Sequence, residues 1–283
     1  IFCPQCRTYL LFRHLNLNFR RRAFVNADSL KLNWHLNTLL TNDVLDRPQP
    51  FINAIYTMPS LQSSIPAWGM QSLELFSFVL VGEGKRKTSR IEHTPISVKV
   101  AALLIQPNIS SCLNVLPSKP VWEIFTKERF SYFSTIIYKN LAIIVKGKIN
   151  EQEEKDMDIF VKPSEYEKVQ RLINLYQAIL TALKPRKEGE YMVGLNLGEI
   201  KDVAEKAPLD LDSNRNLIFR LLELTRLTRK SDVYYLLLRH YTAQKVEFPE
   251  VLSKTLLLED DEMFKTGVYA YISFLPQDNK QNQ

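Results

Sequence analysis

The sequence predicts an α+β protein: a mixed α/β amino-terminal unit carrying a zinc-knuckle remnant, followed by an all-α helical bundle. Three observations predict this. Strand-like runs and proline-marked loops fill the first half, apolar residues recur at helical spacing beyond residue 163, and a polar, acid-rich stretch, "GKINEQEEKDMDIFVKPSEY", lies between the two patterns. The expected units are residues 1–150 and 151–283, joined by a connection over about 148–163 that ends in Pro163.

At 33.0 kDa and 45% hydrophobic residues, the chain is large enough to bury one large core or two modest ones. Nothing repeats at a fixed period. No apolar run is long enough for a secretory core or a membrane span; the segment 9–12 is far too short. Three cysteines, Cys3, Cys6 and Cys112, do not make a disulfide framework, which fits a reducing, cytoplasmic compartment.

In the amino-terminal unit, "RRRAFVNA" reads as a short strand leaving a basic turn. "DSLKLNWHLNTLL" then offers Asp28 or Ser29 as the cap of a helix. "SLELFSFVLVGEGKRKTSRIE" reads as strand with a turn at Gly82 to Gly84, and "ISVKVAALL" as a second β-branched strand. The segment 121–140 is expected as one long aromatic core helix. In the second unit the expected helices are 164–183, capped by Ser164 with Glu167 completing a capping box, then 198–206, 213–229, 231–242 and 248–258. The segment 260–275 is ambiguous between helix and strand. Helices of this length joined by short polar loops argue for a bundle.

The opening "IFCPQCRTYLLFRHLNLNFRRRAF" holds a Cys-x-x-Cys knuckle, Cys3 and Cys6, beside five arginines. Two thiolates at this spacing supply half of a tetrahedral zinc site, so the expectation is structural zinc completed by ligands upstream of Ile1. The alternative is a knuckle without metal. His14 and His35 are candidates only if the fold brings them near, and Cys112 is expected to be a small packing or loop residue rather than a ligand.

The formal charge of +6 hides an asymmetry. Residues 1–150 carry 18 Lys and Arg against 8 Asp and Glu, which leaves 19 against 23 for the rest. The basic half is therefore the expected partner of a polyanion, because nucleic-acid affinity rests on neutralising phosphates. Two clusters concentrate that charge: Arg20, Arg21 and Arg22, and the "GEGKRKTSR" cluster with Lys85, Arg86, Lys87 and Arg90. Long cations on a glycine-flanked tip can follow a phosphate backbone or reach guanine edges; the competing reading is protection of a strand edge. In "NRNLIFRLLELTRLTRK", steps of about 100° place Leu217, Ile218, Leu221 and Leu224 on one side. Arg215, Arg226, Arg229 and Lys230 fall opposite, as a solvated face or as a nucleic-acid track. Tyr234, Tyr235, Arg239, His240 and Tyr241 interleave rings and cations on the next helix.

Signatures of catalysis are missing: there is no phosphate-binding loop, dinucleotide fingerprint, zinc-protease motif or nucleophile elbow. "LEDDE" offers Glu259, Asp260, Asp261 and Glu262 to a divalent ion, but adjacent acids do not converge, and a solvated start to the last element is the expected role. The chain is read as not an enzyme.

The order of these features, from the Cys-x-x-Cys knuckle and basic strand through a Trp-containing helix and "FINAIYTMPSLQSSIPAWGMQSLELFSFVL" to a helical carboxy-terminal region, resembles the large subunit of type I CRISPR surveillance complexes (Cascade), and more closely their zinc-containing, I-B-like branch. In that branch two Cys-x-x-Cys pairs precede the strand and helix, and "CPQC" would match the second. The resemblance implies a non-catalytic subunit that helps to recognise target DNA and stabilises the R-loop. Its implied partners are guide RNA, target DNA, other subunits and a recruited nuclease-helicase or transposition factor. The alternatives are a zinc-knuckle scaffold or regulatory protein-binding module without nucleic-acid affinity, and a nuclease or metal-dependent enzyme drawing on Asp260 and Asp261 of the acidic half.

Overall fold

The computed structural model describes residues 23–26, 73–81, 88–104, 106–116, 119–184 and 195–276. The chain forms two compact units, one comprising residues 1–118 and 125–128, the other residues 119–124 and 129–283. The described residues are mostly helical. The expected α+β class with a mixed α/β amino-terminal unit is therefore corrected. Among the described residues of that unit, strand is limited to β1 (Ala23–Asn26), β2 (Leu73–Val81) and β3 (Thr88–Ile96), which pair antiparallel with one another, Ala23 opposite Ser77 and Val81 opposite Thr88.

One reason is local. After Ile96 the β-branched run read as strand turns into helix α1 (Val98–Leu104), because Ser97 Oγ accepts from the Val100 N–H at 3.2 Å and starts the first turn. Val100, Ala101, Leu103 and Leu104 are then buried, a helical spacing that β-propensity concealed. Helix α2 (Pro107–Val115) follows, with proline in its first turn, where a missing N–H costs nothing. Cys112 sits half-buried on it.

The expected helix over 121–140 is two helices, α3 (Lys119–Thr126) and α4 (Tyr132–Lys146). Between them Glu128 takes φ 55°, a left-handed conformation that stops a right-handed helix. Helix α4 is buried along most of its length, including Phe133, Ile136, Ile137 and Leu141 to Val145. It ends at Gly147, φ 69°, whose N–H bonds back to the Ile143 and Ile144 carbonyls. A Cβ there would also stand 3.0 Å from the Arg215 guanidinium.

The acid-rich stretch expected as a connection is instead fastened to α4. Asn150 and Glu153 form the capping box of a short helix, α5 (Glu151–Glu154), and Lys146 Nζ lies 2.7 Å from Glu153. Lys139 Nζ holds Asp156 at 2.8 Å and Asp158 at 2.6 Å, and Tyr132 donates to Asp158 at 2.7 Å. Asn140, fully buried, uses all its polar capacity: its amide donates to the Ile136 and Asp158 carbonyls, and its oxygen accepts from the Phe160 and Val161 N–H groups.

The remaining helices are α6 (Tyr166–Leu183), α7 (Leu197–Glu205), α8 (Arg215–Arg226), α9 (Lys230–Ala243), α10 (Glu250–Leu256) and α11 (Asp261–Ser273). The helical part of the expectation agrees with this, although α6 lacks the expected Ser164–Glu167 box. Its first turn starts at Glu165, which instead accepts from the Lys162 N–H at 2.9 Å. The ambiguous 260–275 segment is helix because Asp260 caps it, accepting from the Glu262 and Met263 N–H groups. Helix α11 is the centre: α4, α6, α7, α8 and α10 all pack on it. No described helix is long and apolar enough to cross a membrane.

Helices α3, α8 and α9 end alike. Glu128, Thr228 and Lys245 lie at φ 55–57°, and the next N–H reaches back five residues, from Arg129 to Ile124, Arg229 to Leu224 and Val246 to Tyr241. This is the Schellman arrangement, which glycine usually completes. Thr228 is the least suited, being β-branched. A left-handed L-residue costs about 1–2 kcal/mol, more than glycine's extra chain entropy of about 0.5–1 kcal/mol. Thr228→Gly is thus expected to raise the unfolding free energy by roughly 0.5–1 kcal/mol in denaturant titration; a loss of stability would contradict this account of the turn.

Candidate nucleic-acid interface

Of the residues expected to touch nucleic acid or metal, Cys3, Cys6, Arg20, Arg21, Arg22, Lys85, Arg86 and Lys87 lie outside the described residues. Arg90 falls on β3, opposite Val79 of β2. Arg215, Arg226, Arg229 and Lys230 are described, all in the second unit.

Each of those four cations has a carboxylate beside it. Arg215 lies 2.6 Å from Asp212, Arg226 2.9 Å from Glu223, Arg229 3.7 Å from Asp232 and Lys230 2.7 Å from Asp261. Three of these are i,i+3 neighbours on or at the edge of a helix, so the pairing was present in the sequence spacing. Lys230 is tied further: its ammonium also donates to the Leu258 and Glu259 carbonyls, at 2.7 and 2.9 Å, and stands 5.6 Å from the Phe264 ring centroid. It acts as a strap between α9 and the turn before α11.

Arg226 belongs to a second cluster. Its guanidinium lies 5.2 Å from the Tyr138 ring centroid, and Tyr138 donates to the Glu223 carboxylate that Arg226 also holds. Burial, reinforced by that bond, pushes the Tyr138 hydroxyl up to about 12. Tyr138 is therefore a neutral donor at any physiological pH, and the cluster joins α4 to α8.

The interleaved rings of α9 are mostly packing residues. Tyr241 is buried and bonded to the Tyr271 hydroxyl at 3.0 Å, Tyr234 and Tyr241 meet Phe248 edge-on, and His240 Nε2 lies 3.0 Å from the Pro208 carbonyl. Tyr235, 67% exposed, and Arg239 remain on the surface. Arg220 on α8 is likewise exposed, and neither arginine has an ion pair among the described residues. The sequence reading passed over Arg220, yet the same 100° steps place it outward, about 150° from the buried Ile218, Leu221, Leu222 and Thr225.

The "LEDDE" acids are occupied as well. Asp260 caps α11 and lies 3.4 Å from Lys184, Asp261 pairs with Lys230, and Glu262 accepts from the buried Tyr176 at 2.7 Å and from Lys265 at 2.9 Å. Among the described residues no group of three His, Cys, Asp or Glu side chains is placed to hold a metal ion. No family model, no curated protein and no solved structure matches this chain.

The ion pairs on α4 give the second unit a defined acid limit. The Lys139 ammonium holds the Asp156 carboxyl below its usual range, and Lys146, with the Asn150 N–H, does the same for Glu153. For groups depressed in the folded state, the stability they supply is complete above the ordinary carboxylate values of about 4 to 4.5 and is lost as pH falls through the lower folded values. Thermal unfolding is expected to be flat in this contribution down to about pH 5 and to weaken below about pH 4.5. Lys139→Met should make the decline shallower. A midpoint unmoved between pH 6 and pH 3 would contradict the assignment.

Proposed function

We propose that this chain is the non-catalytic large subunit of a cytoplasmic, RNA-guided type I CRISPR DNA-targeting complex. The observation that carries the reading is the order of features along the chain: Cys-x-x-Cys, basic segments, then a helical carboxy-terminal region, with the positive charge gathered in the first 150 residues. In such a complex sequence is read by guide pairing, so the protein supplies charge and shape rather than a base code. Arg20, Arg21, Arg22, Lys85, Arg86, Lys87 and Arg90 would contact guide RNA or target DNA. Cys3 and Cys6 would hold one half of a structural zinc site. The helical unit would support the R-loop and present a face to a recruited nuclease-helicase or transposition factor.

The second reading is a zinc-knuckle scaffold or regulatory protein-binding module. It is favoured by one observation: Arg215, Arg226, Arg229 and Lys230 each already have an acidic partner, so the helical unit offers a polyanion less charge than its sequence suggests.

Affinity purification of the tagged, full-length protein from its native host separates the two. The complex reading expects a repeat-derived guide RNA and backbone subunits to co-purify, with about one zinc per chain. Charge reversal at Lys85, Arg86 and Lys87 is expected to weaken target binding and lower its salt dependence. Recovery of the protein free of RNA, or nucleic-acid binding unchanged by the reversal across a salt titration, would overturn the reading in favour of the scaffold.

A further inference from the structure

We infer that the outer seam between α8 and α9 is a docking surface for an acidic amphipathic helix of a partner protein. The packing fixes the orientation of both helices. On α8, Phe219 lies under Lys146, and Glu223 and Arg226 meet Tyr138, so one flank faces α4; Ile218, Leu221 and Leu222 are buried. On α9, Tyr234 and Tyr241 face Phe248, ahead of α10, and His240 reaches Pro208, just before α8. Helical steps of about 100° then leave Leu217 and Leu224 of α8 and Leu236 of α9 along the line where the two helices adjoin. All three are half-buried, and Leu227, at the end of the seam in the α8–α9 turn, is 53% exposed.

Charge identifies the occupant. Arg215, Arg226, Arg229 and Lys230 have carboxylate neighbours, whereas Arg220 and Arg239, one on each bank of the leucine line, are exposed with no ion pair among the described residues. An apolar line between two unneutralised arginines complements a helix with an apolar stripe and acids on both flanks. From Leu217 to Leu224 is about two turns, roughly 10 Å, the reach of two turns of a docked helix. A nucleic-acid strand fits less well. Two cations neutralise about two phosphates, a log–log salt slope of only about 1.4 for a single strand, and the lining is aliphatic rather than aromatic.

The test uses the full-length chain and three labelled probes in fluorescence anisotropy: a synthetic helix-forming peptide with leucines at helical spacing flanked by glutamates, the same peptide with lysines for the glutamates, and oligo(dT). Saturable binding of the acidic peptide is expected, weakened at least tenfold in R220E/R239E, with no binding of the basic peptide and no displacement by oligo(dT). Both arginines are exposed, so the variant should unfold at the parental temperature; if it does not, R220Q/R239Q replaces it with the same direction of effect. No binding of the acidic peptide, equal binding to both proteins, displacement by oligo(dT), or self-association of the chain that the variant abolishes would each overturn the inference.

Discussion

The carboxy-terminal unit depends on a helix that has almost no outside. In α11 the residues from Met263 to Ser273 are buried with the exception of Lys265, so every flank of the helix needs a partner element. Polar side chains on such a helix must find bonds within the protein. Thr266 turns its hydroxyl to the Glu262 carbonyl, Ser273 to the Ala270 carbonyl, and Tyr271 shares a bond with Tyr241. Gly267 lets the neighbours close in: a Cβ there would overlap Thr255 Cγ2 of α10 and stand 3.0 Å from Leu195 Cδ1. Helix α10 and the Leu195 segment close in on α11 here because position 267 carries no side chain.

The outer helices also pack apolar residues on one another, and polar ties add to that packing. Lys139, Lys146 and Asn140 of α4 draw in the 150–161 segment, Tyr138 and Phe219 join α4 to α8, and Lys230 straps α9 to the turn that begins α11. The ring pair of Phe133 and Tyr176, 5.8 Å apart, adds a contact of about 0.5–1.5 kcal/mol between α4 and α6. Ties of this kind consume charge. Arg215, Arg226, Arg229 and Lys230 each stand beside a carboxylate, whereas Arg220 and Arg239 on the α8–α9 seam are exposed with no ion pair among the described residues.

Much of the helical region was legible because amphipathic periodicity and capping residues act over a few residues. The helices beginning at Leu197, Arg215, Lys230 and Glu250 lie within two or three residues of where spacing put them. What was not legible needed tertiary partners. "ISVKVAALL" has β propensity, but the Ser97 cap and burial at Val100, Ala101, Leu103 and Leu104 select helix. The 148–163 acids look like a solvated connection until Lys139 and Lys146, up to 19 residues earlier, are brought against them. The break at Glu128 has no glycine or proline to announce it. The four paired cations could have been read better, since Asp212, Glu223 and Asp232 stand three residues from Arg215, Arg226 and Arg229.

Gly267→Ala tests the buried-centre account most directly, because two effects oppose each other there. Alanine is favoured over glycine in a helix by about 1 kcal/mol, whereas overpacking against Thr255 and Leu195 costs typically about 1–3 kcal/mol. Thr255 is held in place by its own bond to the Val251 carbonyl at 2.8 Å and has little room to give. The account predicts that the variant unfolds at lower denaturant concentration than the parent. A variant more stable than the parent would mean that α10 and the Leu195 segment do not close on α11 as described, and the packing that positions α8 and α9 would have to be rebuilt.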